Sequence, residues 1–178
     1  HAHLKTSAAH RVHGLSALAA LTAQHTRAVT AVHVPDVAFL RAQIDACFDD
    51  FTIGAVKLGM LANAEVIHAV ADALEHHGPP HVVLDPVMVS TSGARLLETS
   101  ALDALRMRLL PMATLVTPNL PEAELLIGER IEDVDAMHGA IDALRALGAK
   151  AVLLKGGHLP VEAARDEALD RFADGDNV

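Results

Sequence analysis

The sequence predicts an α/β domain built on a mostly parallel sheet. Short β-rich runs alternate with longer amphipathic stretches. Most of those runs are apolar on both faces, as strands of a parallel sheet are. The stretches between them start and stop with helix signals.

The clearest runs are residues 55–58, 81–84, 114–116 and 151–154. Helices fall between them. After Asp36, the residues Val37, Leu40, Ile44, Cys47 and Phe48 recur at helical spacing. Asn63 can cap a helix that carries Ile67, Val70 and Leu74 and ends at Gly78-Pro79. Ser100 with Asp103 has the spacing of a capping box, and Pro111 closes that helix after Leu102, Leu105 and Leu109. A later helix carries Val134, Met137, Ile141, Leu144 and Leu147, with Gly148 suited to the position just past its end. Strands joined by helices make a parallel sheet with right-handed crossovers. Upstream, residues 15–21 and 28–34 read as two further strands. No linker, repeat or low-complexity stretch breaks the 178 residues, so a single domain is expected over 1–178.

Composition narrows the function. A hydrophobic content of 51% allows a substantial core, yet no apolar run is long enough for a membrane span. The net charge of −9 has the wrong sign for a nucleic-acid groove, and without Trp or Tyr there are few stacking platforms. The single Cys47 can form no internal disulfide and suits a reducing, cytoplasmic compartment. Its place in an apolar helical pattern predicts a buried thiol. Twelve histidines include His1, His3, His10 and His13 near the start and the pair His76-His77. With no H-E-x-x-H and no paired cysteines, they are expected on the solvated surface rather than on a metal.

Ligands of open α/β sheets bind beyond the carboxyl ends of the strands. The four clear runs lead into Gly59-Met60-Leu61-Ala62, Asp85-Pro86-Val87-Met88-Val89-Ser90, Thr117-Pro118-Asn119-Leu120-Pro121-Glu122 and Lys155-Gly156-Gly157-His158. Each has an ordinary use. Asp85 before Pro86 starts a turn, Asn119 and Glu122 have capping-box spacing, and Lys-Gly-Gly suits a solvated turn. Together they say more. A carboxylate beside an amide–carboxylate pair suits a hydrated Mg²⁺, and a lysine with glycine N–H groups suits phosphate oxygens. That combination points to phosphoryl transfer, where catalysis is mainly positioning and charge neutralisation. Neither G-x-x-x-x-G-K-[ST] nor G-x-G-x-x-G is present, which disfavours P-loop enzymes, Rossmann dehydrogenases and protein kinases.

These segments, with Leu4-Lys5-Thr6, Thr22-Ala23-Gln24-His25-Thr26, Lys57-Leu58-Gly59-Met60-Leu61 and the Ala123 that follows Glu122, resemble the hydroxymethylpyrimidine/phosphomethylpyrimidine kinases of thiamine biosynthesis. The resemblance runs in order along nearly the whole chain. It implies a ribokinase-like three-layer sandwich with a mostly parallel central sheet flanked by helices. It implies ATP- and Mg²⁺-dependent phosphorylation of 4-amino-5-hydroxymethyl-2-methylpyrimidine and then of its monophosphate, by a homodimer. By the same resemblance Gln24 bonds the aminopyrimidine edge, and Met60 and Val87 pack on the ring. Asp85 and Glu122 serve the metal. Asn119, Glu122, Lys155, Gly156 and Gly157 serve the nucleotide.

The sequence departs from that pattern in places. His3 stands where the family has Asp, and His10, Arg11 and His13 lie in a stretch that is usually more apolar. The family's first strand with its glycine-rich segment has no counterpart here. Its Gly-Thr-Gly-Cys anion-hole segment, which carries the expected base, would follow Val178. No catalytic base is therefore assigned, and the first strand and C-terminal helices are expected to be missing. The alternatives are a pyridoxal-type kinase of the same fold and an inactive pyrimidine-binding remnant.

Overall fold

The computed structural model describes residues 2–25, 27–88, 99–157 and 169–175. Helix α1 (Ala2–Ala9) is followed by a hairpin of β1 (Leu21–His25) and β2 (Ala28–His33) and by helix α2 (Val37–Asp50). Then come β3 (Val56–Leu58), α3 (Ala64–His77), β4 (Val82–Leu84), α4 (Thr99–Ala104), β5 (Leu115–Val116), α5 (Leu120–Ile127), α6 (Val134–Ala146), β6 (Ala151–Leu154) and β7 (Arg171–Asp174). Strands β3 to β7 form one five-stranded sheet in chain order. The first four are parallel, and β7 runs antiparallel along β6.

That order decides where the helices lie. Right-handed crossovers that all step in one direction deposit their helices on one face of the sheet. The crossovers holding α3, α4 and the α5–α6 pair do so here. Burial agrees. Register partners Leu58, Leu84, Val116, Val152 and Ala173 face the helices and are buried. Their neighbours Val83, Leu115 and Leu153 point to the other face and are half-exposed, and Phe172 is exposed.

Local signals set the helix ends. The Asn63 side chain accepts the Val66 N–H at 2.9 Å, and Gly78 adopts φ +59° to close α3 onto the Leu74 carbonyl. Asp133 caps α6 in the same way. A cap contributes about 1 kcal/mol, whereas one buried Leu or Ile contributes about 1.5–3 kcal/mol. Helix α3 buries Val66, Ile67, Val70 and Leu74, and α6 buries Met137, Ile141 and Leu144. Burial therefore makes these helices form, and the caps fix where they start and stop.

Several expectations are corrected. There is no strand over 15–20. The Leu18 N–H bonds Gln43 Oε1 at 3.0 Å, so a side chain of α2 takes the backbone group that a strand would need. The strand starts at Leu21 and pairs antiparallel with β2, apart from the main sheet. Ser100 lies inside α4 rather than ahead of it. That helix continues through a π turn at Leu105–Leu109 and a 3₁₀ turn at Leu110–Met112, where Pro111 ends it. On α2 only Leu40 is buried, and Cys47 is half-buried. His77 is not a solvated histidine. It pairs with Asp45 at 2.7 Å, stacks on Phe48, and its side chain is 12% exposed. Among the described residues no helix is long and apolar enough to cross a membrane.

Gly148 has φ +111°, and a Cβ there would come within 2.9 Å of Pro111 Cα. Gly78 has open space around it. Gly78→Ala should cost about 1 kcal/mol, the strain of the left-handed backbone alone. Gly148→Ala should cost clearly more, measured by urea unfolding. Equal losses would contradict the packing described.

Candidate active site

The site is built where the parallel strands end. The ladder of hydrogen bonds runs past the last strand residues: Asp85 N–H donates to Leu58 O at 3.0 Å, Thr117 N–H to Leu84 O at 2.9 Å, and Lys155 N–H to Pro118 O at 2.9 Å. Asn119 and Lys155 face each other as an isolated parallel bridge. Backbone pairing thus brings Asp85, Asn119 and Lys155 to one edge. Lys57 joins them from β3, opposite Val83 and on the half-exposed face of the sheet.

Two lysines grip one carboxylate. Lys57 Nζ lies 2.9 Å from Asp85 Oδ2, and Lys155 Nζ lies 3.2 Å from Asp85 Oδ1. Burial raises the Asp85 pKa, but the bonds and charges of Lys57 and Lys155 outweigh it and hold the carboxyl below its ordinary value. Beyond Asp85 the chain turns tightly about buried Pro86, with the Val87 N–H donating to the Asp85 carbonyl at 2.8 Å.

Asn119 and Glu122 form a reciprocal capping box at the start of α5. The Asn119 side chain accepts the Glu122 N–H at 2.9 Å, and Glu122 Oε2 accepts the Asn119 N–H at 2.9 Å. Glu122 is only 4% exposed. Its pKa is raised, first by burial. The Asn119 N–H and the Lys155 charge oppose that shift, the Asp85 charge adds to it, and the Met88 N–H opposes it. Two carboxylates of one site are thus pushed in opposite directions. Lys155 acts on both.

The other expected site residues are less gathered. Met60 and Val87 are half-buried beside the ends of β3 and β4. Gln24 stands exposed on the separate hairpin, beside a bulge, and its side chain accepts a 3.5 Å bond from Thr22 Oγ1. The Gly156 N–H donates to Asp170 Oδ1 at 3.1 Å, and a Cβ on Gly156 would collide with the Leu169 carbonyl. Glycine is therefore required there by the approach of the chain before β7. Gly157 is exposed and open. Thr26, Val89, Ser90 and His158 lie outside the described residues. Sequence reasoning gave Lys57 no role. A charge inside a strand run reads as an interruption, and its pairing with Asp85 spans 28 positions.

The donor set suits Mg²⁺ carried by a phosphate. Among the described residues no three His, Cys, Asp or Glu groups converge to hold a metal alone. One or two carboxylates plus substrate phosphates and water are the usual Mg²⁺ environment, and Asp85 with Glu122 match that number.

Comparison with known proteins settles the family. The family model described as phosphomethylpyrimidine kinase matches residues 1–178. The chain belongs to this family. A hydroxymethylpyrimidine/phosphomethylpyrimidine kinase of Rhizobium meliloti is 47% identical over 178 residues, covering 99% of this chain and 65% of that protein. The chain thus spans less than two thirds of that relative's length. A crystal structure of phosphomethylpyrimidine kinase from Clostridium difficile 630 matches with a TM-score of 0.89 and 40% identity, over 99% of this chain and 74% of that one. An ADP complex of Bacillus subtilis pyridoxal kinase matches with a TM-score of 0.84 and 32% identity, over 97% of this chain and 64% of that one. The ribokinase-like fold expected from the motifs is the fold of this chain.

Two outcomes test the site's energetics. Asn119→Ala should cost about 1 kcal/mol in unfolding free energy, because it strips the cap from α5. Asp85 has its folded pKa below the ordinary value. Its ionised form therefore stabilises the fold above that value, and the contribution is lost as pH falls through the folded pKa. The difference in Tm between the parent and Asp85→Asn, present at neutral pH, should close below about pH 4. A difference constant down to about pH 2 would contradict the ion pairs.

Proposed function

We propose that this chain forms the binding edge of a kinase that transfers a phosphoryl group from ATP to the hydroxymethyl group of 4-amino-5-hydroxymethyl-2-methylpyrimidine, and then to its monophosphate, in thiamine biosynthesis. One observation supports the reading: at the ends of neighbouring parallel strands Lys155 pairs with Asp85 at 3.2 Å and lends its charge to the buried Glu122. Carboxylates able to take Mg²⁺ beside a lysine able to take phosphate oxygens suit a metal-bound polyphosphate.

Asp85 and Glu122 are the residues to hold Mg²⁺. The ion would neutralise charge on the transferring phosphoryl group. Lys155 donates to phosphate oxygens, and the exposed Gly157 offers a backbone N–H beside it. Asn119 and Glu122 hold the start of α5 firm through their reciprocal bonds, so the phosphate-facing edge is preorganised. Gln24 carries both a donor and an acceptor, which matches an aminopyrimidine edge. Met60 and Val87 offer half-buried apolar surface for the ring. Gln24 stands on the hairpin, apart from the main sheet.

A homodimer belongs to the same reading. Leu18, Leu21 and Val32 are exposed apolar side chains on and beside the hairpin, as a covered face would supply. A cytoplasmic location is supported by the lone cysteine.

Turnover separates this reading from a pyridoxal-type kinase. With Mg²⁺ and ATP, the full-length protein should phosphorylate the hydroxymethylpyrimidine. Gln24→Ala should raise its KM by roughly tenfold with a smaller change in kcat. Turnover of pyridoxal with none of the pyrimidine would overturn the assignment. Turnover of neither would favour a binding remnant.

A further inference from the structure

The cluster at the strand ends is asymmetric. Lys57 reaches Asp85 from β3, the edge strand. Lys155 reaches it from the end of β6, across the end of β5 where Asn119 and Glu122 sit. Lys155 adds its charge to both carboxylates. So Lys155 lies on the Glu122 side of Asp85, and Lys57 lies on its outer side.

A divalent cation held by both carboxylates would meet the Lys155 ammonium. Like charges at contact distance repel, and more strongly at a half-buried edge than in bulk water. The Lys155 side chain is 40% exposed and flexible, so it can leave Asp85. A phosphate beside the cation gives it a new anionic partner. Lys57 faces no such conflict, and its bond uses the other oxygen, Oδ2.

We propose that Lys57 is a positioning residue: it holds Asp85 by Oδ2 while Lys155 releases Oδ1 to the metal–nucleotide complex and turns to a phosphate. The two lysines then have separate duties. Lys155 is a place-holding cation that exchanges partners. Lys57 fixes the plane of the carboxylate, as hydrogen-bonded outer partners do for metal-binding carboxylates. This inference rests on the kinase reading above.

Calorimetric titration of the full-length protein with ADP, with and without Mg²⁺, tests it. In Lys57→Met the affinity for metal-free ADP should stay within about twofold of the parent. The gain in affinity brought by Mg²⁺ should shrink roughly tenfold. Lys57→Arg should restore most of that gain. Lys155→Met should weaken ADP binding with and without the metal. Lys57 is 38% exposed on an edge strand, and Tm confirms that each variant folds. Lys57→Gln is the second variant should the Met variant unfold. An undiminished Mg²⁺ gain in Lys57→Met or Lys57→Gln, an equal loss with and without metal, or no recovery in Lys57→Arg overturns the proposal. A parent that binds ADP with no gain from Mg²⁺ overturns the kinase reading itself, which the variants alone do not.

Discussion

Parallel pairing of β3 to β6 holds Lys57, Asp85, Asn119 and Lys155 at one edge, and the ion pairs of the site follow from it. The hydrogen-bond ladder continues past the strands proper, through Thr117 N–H to Leu84 O and Lys155 N–H to Pro118 O. A one-residue slip in any of these strands would turn its terminal side chain to the helix-covered face. Leu84, Val116 and Val152 guard against that slip, because each is buried in register with the next. The apolar core on one face thus aims the charged residues on the other.

The electrostatics follow from that placement. The chain carries a net charge of −9, yet at this edge two lysines meet one carboxylate. Asp85 is held ionised by its partners. Glu122, more deeply buried, is driven toward its neutral form. Ion pairing on one carboxylate and burial of the other are enough to push them in opposite directions. Lys155 pairs with Asp85 and lends its charge to Glu122, which keeps the two carboxylates tolerable side by side.

Much of this was legible in sequence. The runs around Val82 and Val152 are short, apolar on both faces and bounded by turn residues, which is how parallel strands read. Asn119 and Glu122 announced a capping box, and the structure contains one. The rule that sites form at strand ends then gathered Asp85, Asn119, Glu122 and Lys155 without any distance being known. What stayed hidden has physical causes. Helix α1 has Leu4 as its one large apolar side chain, so it shows no periodicity. The alanines of 15–21 and of β1–β2 carry too little β preference to separate a hairpin from an irregular segment. Strand β7 has four residues and one large apolar side chain. Lys57 was invisible as a functional residue because its partner comes from the next strand. Gly156 was read for its N–H, whereas the structure uses its missing Cβ to admit the Leu169 carbonyl.

A crystal structure of the full-length protein with Mg²⁺, a non-hydrolysable ATP analogue and the hydroxymethylpyrimidine is the most direct test of the strand-end site. The predicted result has the phosphates at the carboxyl ends of β4 to β6, Lys155 bonded to a phosphate oxygen, and Lys57 still bonded to Asp85. Phosphates bound elsewhere, with the Asp85–Lys155 pair intact, would contradict it.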